Sequence, residues 1–165
     1  MSCTVFVSYS NIKDMYGAVT KFCSHLEFEL RQKLGDVDLI VFQDKRDIHG
    51  GDKWQDILES ELASASLLLI LLSPTWLRRE WCRREYALFK ASMTSGKRKH
   101  VVPLVWDAVE DSDAKTQEER HLLAELRSYQ SLVWDELRYA DWASPEPNQA
   151  AGRLAKELKT KLSAQ

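Results

Sequence analysis

A run of six apolar residues, Leu67 to Leu72, constrains the fold of this chain more than any other segment. The run is too short to cross a bilayer, which needs about 20 residues. Because consecutive residues of a strand point to opposite faces of a sheet, a strand that is apolar throughout must be covered on both faces. The run therefore predicts a central strand of a parallel sheet, with helices packed on each side.

The other predicted elements alternate between strand and helix along the chain. Short β-rich runs predict strands at 4–7, 39–42, 101–106 and 131–134, although Pro103 weakens the third of these. Apolar residues at three- and four-residue steps predict helices at 15–34, from Asp52 onward, at 75–93, at 118–127 and after the Pro145-Glu146-Pro147 break. This alternation is typical of a parallel sheet wrapped by helices through right-handed crossovers.

Two of the helix starts carry specific signals. Asp52 is expected to cap its helix, with Gln55 three residues on as the capping-box partner. Pro74 is expected in the first turn of the next helix, where its missing N–H costs nothing. The polar segment 43–53, which contains Gly50-Gly51, is predicted to be an exposed loop.

The charge balance excludes two classes of partner. The 165 residues hold 23 Lys and Arg against 25 Asp and Glu, a net charge of −2. Binding to nucleic acid or to an anionic membrane needs a basic field, so we expect neither. The length suits one domain over residues 1–165. Because the terminal helix lacks a stop signal, the chain is also compatible with the N-terminal domain of a longer protein.

Cysteine and histidine spacing argues against disulfides and metal sites. Cys3, Cys23 and Cys82 are far apart, follow no secretory signal and form no Cys-x-x-Cys pair. The four histidines show no His-x-x-x-His spacing. We therefore expect a reduced, cytoplasmic protein that binds no metal.

Ligands of open parallel sheets bind beyond the carboxyl ends of the strands, where the strand order reverses. Three segments qualify here: 8–11, 43–53, and the residues from Ser73 into the next helix. The first carries no Gly-x-Gly-x-x-Gly or Walker pattern, so a dehydrogenase or P-loop ATPase is unsupported. Ser73 also stands where a phosphorelay receiver would need its phosphate-accepting Asp, and the acidic pair is missing.

A Trp-x-x-x-Glu pattern occurs twice after the Leu67–Leu72 run, as Trp76 with Glu80 and as Trp81 with Glu85. Glu80 lies on a face rich in arginine, where a solvated salt bridge is expected. Trp81 and Glu85 border the apolar stripe of the helix, which consists of Cys82, Tyr86, Phe89 and Met93. From periodicity alone, Trp81 is a packing residue and Glu85 a surface acid, and a functional role remains the alternative.

Three sequence blocks resemble the conserved boxes of the Toll/interleukin-1 receptor (TIR) domain. They are Val5 to Ser10, Phe42 to Ile48 with Gly51 and Trp54, and Leu71 to Pro74 running into Trp81-Cys82-x-x-Glu85. The resemblance covers residues 3–110 in order and spacing, and the last third by element pattern. It implies a flavodoxin-like, three-layer α/β sandwich with a five-stranded parallel sheet in the order 2-1-3-4-5 and helices on both faces.

The resemblance also implies a function. TIR domains are either scaffolds for signalling complexes or enzymes that cleave NAD between nicotinamide and ribose, and Glu85 occupies the position of the catalytic acid in the enzymes. We expect an NAD glycohydrolase or cyclase, with NAD as substrate and no cofactor. A carboxylate can stabilise the oxocarbenium character of the ribosyl group. The residues expected to bind substrate are Tyr9, Ser10, Asp44, Arg46, Asp47 and Trp81, with Tyr9 and Glu85 facing one crevice.

The alternative function is a non-catalytic scaffold for homotypic TIR–TIR interaction, since a Glu at the Glu85 position also occurs in such domains. For the enzyme, the chain resembles the prokaryotic group that acts in defence against phage. In TIR enzymes the loop that corresponds to 43–53 contacts the next protomer and completes the pocket. We therefore expect self-association, through a heterologous interface that can extend into filaments.

Overall fold

The computed structural model describes residues 2–10, 17–35, 38–43, 52–93 and 98–163, with the backbone alone for Asp52. Its sheet has five parallel strands in the order β2-β1-β3-β4-β5, which confirms the predicted order. The strands are β1 (Ser2–Ser8), β2 (Asp38–Gln43), β3 (Leu67–Leu72), β4 (His100–Val105) and β5 (Leu132–Val133).

Helices cover both faces of the sheet, as predicted. They are α1 (Ala18–Leu34), α2 (Asp52–Ser64), α3 (Pro74–Arg78), α4 (Glu80–Ser92), α5 (Gln117–Arg127) and α6 (Pro145–Ser163), with single 3-10 turns at Asp111–Asp113 and Leu137–Tyr139. No described helix is both long and apolar enough to span a membrane.

The central strand divides the hydrophobic core into two clusters. Leu67, Leu69 and Leu71 pack with α1 and α6 on one face, and the alternate residues of β3 pack with α2, α4 and α5 on the other. Every residue of β3 is at most 4% exposed. The prediction that this run is covered on both faces is therefore confirmed.

The prediction of a single helix over 75–93 is wrong. The chain leaves helical geometry at Arg79, where φ is −81° and ψ is 119°, so that α3 and α4 are separate helices. The break is stable because its polar groups stay bonded: the Arg79 N–H donates to the carbonyls of α3, and the Arg83 guanidinium donates to the Leu77 carbonyl at 3.1 Å. Pro74 does lie at the start of α3, as predicted, and the Ser73 hydroxyl caps it.

Prolines lie inside two regular elements, at positions where the sequence predicted a weakened strand and a break. Pro103 lies within β4 opposite Ile70, and β5 pairs with β4 only from Leu104 onward. The β5 side of β4 is thus a sheet edge at Pro103, where a missing N–H is tolerated. The predicted break at 145–147 is instead the first turn of α6, where proline is accepted.

The predicted cap of α2 falls on a side chain outside the described part of the structure. The helix begins at Asp52 as expected, but the side chain of Asp52 lies outside the described part of the structure. The Gln55 amide donates to Glu59, one turn further along, at 3.3 Å. Gln55 therefore stabilises the first turns of the helix through its side-chain hydrogen bond to Glu59.

Candidate functional site

Glu85 lies on α4 and is fully buried beside the carboxyl end of β1. Its exposed fraction is 0%, and its Oε1 atom accepts a hydrogen bond of 2.9 Å from the Ser8 hydroxyl. The prediction that Glu85 borders the core, or is a surface acid, is therefore wrong. The burial is possible because β1 presents a hydroxyl at the point where α4 brings the carboxylate inside.

Trp76 extends this contact into a buried chain of hydrogen bonds. Its indole Nε1–H donates to the Ser8 oxygen at 3.0 Å, and the Ser73 hydroxyl accepts from the Trp76 backbone N–H at 3.0 Å. Trp76 and Ser8 are both 0% exposed. The tryptophan of the first Trp-x-x-x-Glu copy, Trp76, thus orients the serine that bonds the glutamate of the second copy, Glu85. Glu80, the glutamate of the first copy, is exposed.

Sequence analysis missed both Ser8 and Trp76 as site residues. The position of Ser8 in the strand could have identified it. Ser8 lies two positions after Phe6 and therefore on the same buried face of the sheet. A polar side chain at an inward position needs a partner. That partner, Glu85, lies 77 residues away, so no local pattern could have named it.

Trp81 lies one helical turn before Glu85 on α4. It is half-buried against the core cluster formed with α2 and α5, and the Arg84 guanidinium lies 5.3 Å from the centre of its ring. Arg84 is itself held by Glu59 at 3.2 Å. The ring is therefore shared between the core and a charged outer surface, an arrangement in which it can pack and also present an edge to a ligand.

Tyr9 and Ser10 line a cavity of about 290 Å³ at the carboxyl ends of β1, β3 and β4. Tyr9 is 6% exposed and packs in the core cluster that contains α1, and its hydroxyl accepts from the Gln43 amide at 3.2 Å. We call this space the strand-end cavity. Its described lining residues are Tyr9, Ser10, Val19, Leu71, Ser73, Thr75, Trp106, Asp107 and Arg138.

The structure separates two of the predicted site residues. Glu85 contacts Ser8 on the face of the sheet that holds Phe6 and Trp76, whereas Tyr9 packs on the opposite face. The expectation that both face one crevice is wrong for the described conformation, because neighbouring residues at a strand end point to opposite faces. The end of β1 therefore lies between the carboxylate and the strand-end cavity.

Three other predicted substrate-binding residues, Asp44, Arg46 and Asp47, lie outside the described residues, as does most of the loop 43–53. Within the described ranges, no three His, Cys, Asp or Glu side chains are grouped closely enough to hold a metal ion. The described part of the site is thus a buried carboxylate, its serine and indole partners, a half-buried tryptophan and the strand-end cavity.

Comparison with known proteins gives the fold and the family. No curated protein matches the sequence. Among solved structures, the TIR domains of the activated Roq1 resistosome, which directly recognises the pathogen effector XopQ, are 13% identical with a TM-score of 0.62, covering 94% of this chain and 98% of that one. The TIR domain heterodimer of RPS4 and RRS1 is 14% identical with a TM-score of 0.56, covering 98% of each chain.

These two likenesses show a shared fold. A family model for the TIR domain matches residues 5–155, which includes all five strands except the first residues of β1. The chain therefore belongs to the TIR domain family.

Proposed function

We propose that this TIR domain cleaves the bond between nicotinamide and ribose in NAD, with Glu85 as the catalytic carboxylate. The observation that carries the proposal is the position of the Glu85 carboxylate beside the end of β1, where its Oε1 atom bonds Ser8. This is the switch point between β1 and β3, where sheets of this order bind ligands. A buried carboxylate costs stability that an apolar residue would not, and such groups concentrate at functional sites.

The chemistry suits a fixed carboxylate. When the glycosidic bond breaks, its electron pair leaves with the ring nitrogen of nicotinamide, which becomes neutral and needs no proton. The ribosyl carbon gains oxocarbenium character that the Glu85 carboxylate stabilises. Water, or a hydroxyl of the same molecule, then attacks that carbon and loses a proton, which gives ADP-ribose or a cyclic isomer. Trp81, one turn away, offers the edge of its ring to the departing nicotinamide.

A second function, the non-catalytic scaffold, is favoured by the absence of exposed surface on Glu85. A carboxylate without exposed surface touches no substrate in the described conformation, and a non-catalytic TIR scaffold has no need to expose it. In that case Glu85 ties α4 to β1 through Ser8 and has no chemical role. The catalytic proposal therefore requires an opening movement next to β1, and the scaffold does not.

Self-association is part of the catalytic proposal. We infer that Asp44, Arg46 and Asp47, in the loop 43–53, help to complete the substrate site between two copies of the chain. The RPS4 and RRS1 TIR domains form a heterodimer, which supports pairing as a property that this fold accommodates. From the family resemblance we infer the cytoplasm of a bacterium defending itself against phage as the cellular setting.

One assay separates the two functions. Concentrated protein is incubated with NAD, and nicotinamide, ADP-ribose and cyclic products are resolved by chromatography. Nicotinamide release that scales with the amount of protein supports the enzyme. Its absence at every protein concentration tested leaves the scaffold.

A further inference from the structure

The strand-end cavity has the size of a nucleoside site. Its volume is about 290 Å³, at the lower limit for small-molecule sites, which span roughly 300–1,000 Å³. It lies at the carboxyl ends of β1, β3 and β4, the edge of a parallel sheet at which ligands bind. The cavity therefore suits one nucleoside better than a whole dinucleotide.

One ion pair sets the charge of this cavity. Arg138 Nη1 lies 3.3 Å from Asp107 Oδ2, and the Asp107 side chain remains 44% exposed. The guanidinium also lies 4.4 Å from the centre of the Tyr139 ring. With one cation and one anion among its described lining residues, the cavity has no excess charge to attract a phosphate.

A carboxylate held by an arginine is a preorganised acceptor for neutral hydroxyl groups. In dinucleotide-binding sheets an acidic residue near a strand end accepts hydrogen bonds from a ribose in this way. The Ser10 hydroxyl adds a further polar group: its oxygen is buried, and no described residue bonds it. An oxygen without exposed surface meets no ligand in this conformation, so the hydroxyls of a ligand would bond Asp107, whose side chain is 44% exposed.

The cavity also has an aromatic wall. The Trp106 ring packs edge-on against Phe22, with 5.3 Å between the ring centres, which fixes its orientation. A held indole is a suitable surface for a planar base. A carboxylate for hydroxyls and an aromatic ring for a base, within the volume of one nucleoside, together define the ligand.

We propose that the strand-end cavity binds a ribonucleoside through its cis-diol. Asp107 accepts hydrogen bonds from the 2′ and 3′ hydroxyls, Arg138 holds the carboxylate, and Trp106 packs against the base. For NAD this assigns the cavity to the adenosine half, an assignment that rests on the proposed function. Affinity for adenosine itself does not depend on it.

Isothermal titration calorimetry of the full chain tests this with adenosine, 2′-deoxyadenosine and inorganic phosphate. We expect adenosine to bind, 2′-deoxyadenosine to bind about tenfold more weakly or worse because a charge-assisted hydrogen bond is lost, and phosphate not to compete. Asp107→Asn should weaken adenosine binding to a similar degree. The control Asp111→Asn, which removes a carboxylate paired with Arg127 outside the cavity, should bind like the wild type.

Three results would overturn the proposal: no adenosine binding at millimolar concentration, equal affinity for the two nucleosides, or competition by phosphate. The nucleoside comparison uses the wild-type chain, so it decides the matter even if Asp107→Asn fails to fold. Diol-dependent binding without nicotinamide release would refute the enzyme and leave this site. Nicotinamide release without diol-dependent binding would refute this nucleoside site and leave the enzyme.

Discussion

An ionised carboxylate loses favourable hydration when it is buried, and Glu85 is 0% exposed. The Ser8 hydroxyl has one hydrogen to donate, and its oxygen already accepts the indole N–H of Trp76. The indole therefore fixes the direction in which Ser8 donates, and that direction is toward the carboxylate. Ser8 and Trp76 are positioning residues for Glu85.

Replacing Ser8 by alanine should destabilise the protein far more than one hydroxyl on a surface would. The change leaves the carboxylate of Glu85 without this donor and the indole of Trp76 without its acceptor, which typically costs about 1–3 kcal/mol per buried group. Urea unfolding measures the loss of free energy. Ser2→Ala, at the exposed start of the same strand, is the control. Equal stability of the two variants would show that the Ser8 contact is unimportant.

Trp81 has two roles in this account, and two substitutions separate them. Trp81→Ala should lower both the melting temperature and the rate of NAD cleavage, because it removes core contact and the ring edge one turn before Glu85. Trp81→Phe should recover much of each. A lower melting temperature with an unchanged rate per folded molecule would make the ring purely structural.

The strands were predictable from the sequence, and the break between α3 and α4 was not. The apolar run 67–72 predicted β3 with its observed bounds, since burial on both faces leaves a direct mark in the sequence. Arg79 is neither Gly nor Pro, so nothing in the local pattern marks the break there. The Arg83 guanidinium bonds the Leu77 carbonyl at the break, a contact between residues six positions apart that a helical pattern does not predict.

The pairing of α4 with α5 predicts a pH dependence. Lys90 donates to the Glu125 carboxylate, and this bond holds the pKa of Glu125 below its ordinary value of 4.5. A lowered folded-state pKa means that the ionised form stabilises the fold. The contribution is present above the unfolded-state pKa and is lost as the pH falls through the folded-state pKa. Because both side chains are about 40% exposed, we expect a small effect.

Thermal melting of Glu125→Gln across the acid range measures this effect. The variant should be less stable than the wild type at neutral pH, and the difference should shrink as the pH falls below 4.5. Glu136→Gln, at an exposed glutamate whose side chain pairs with no described cation, is the control. A stability difference that is the same at every pH would contradict the proposed role of the pair.

The alternating pattern of strands and helices predicted a parallel sheet with two covered faces, and the structure has such a sheet. The strand order came from the resemblance to TIR domains, because periodicity does not say which strands are neighbours. Periodicity also could not place Tyr9 and Glu85 on opposite faces of the sheet. That arrangement depends on the register of the last residues of β1, where one position changes the face.

Self-association predicts that activity depends on concentration. If the loop 43–53 completes the site between two copies, the rate of nicotinamide release per molecule should rise with protein concentration. Asp47→Ala and Gly51→Pro, both in that loop, should weaken the rise. Asp113→Ala, in the 3-10 turn Asp111–Asp113, should not. A constant rate per molecule over a wide dilution series, unaffected by the loop variants, would mean that Glu85 acts within a single chain.

The most direct test of the catalytic account compares two glutamates of α4. Initial rates of nicotinamide release are measured for the wild type, Glu85→Gln and Glu80→Gln at equal concentration, with circular dichroism to verify that each is folded. Glu80 is exposed, whereas Glu85 is buried beside Ser8. We expect Glu85→Gln to lose on the order of a hundredfold in rate or more, and Glu80→Gln to remain near the wild-type rate. A folded Glu85→Gln that releases nicotinamide at the wild-type rate would contradict the account.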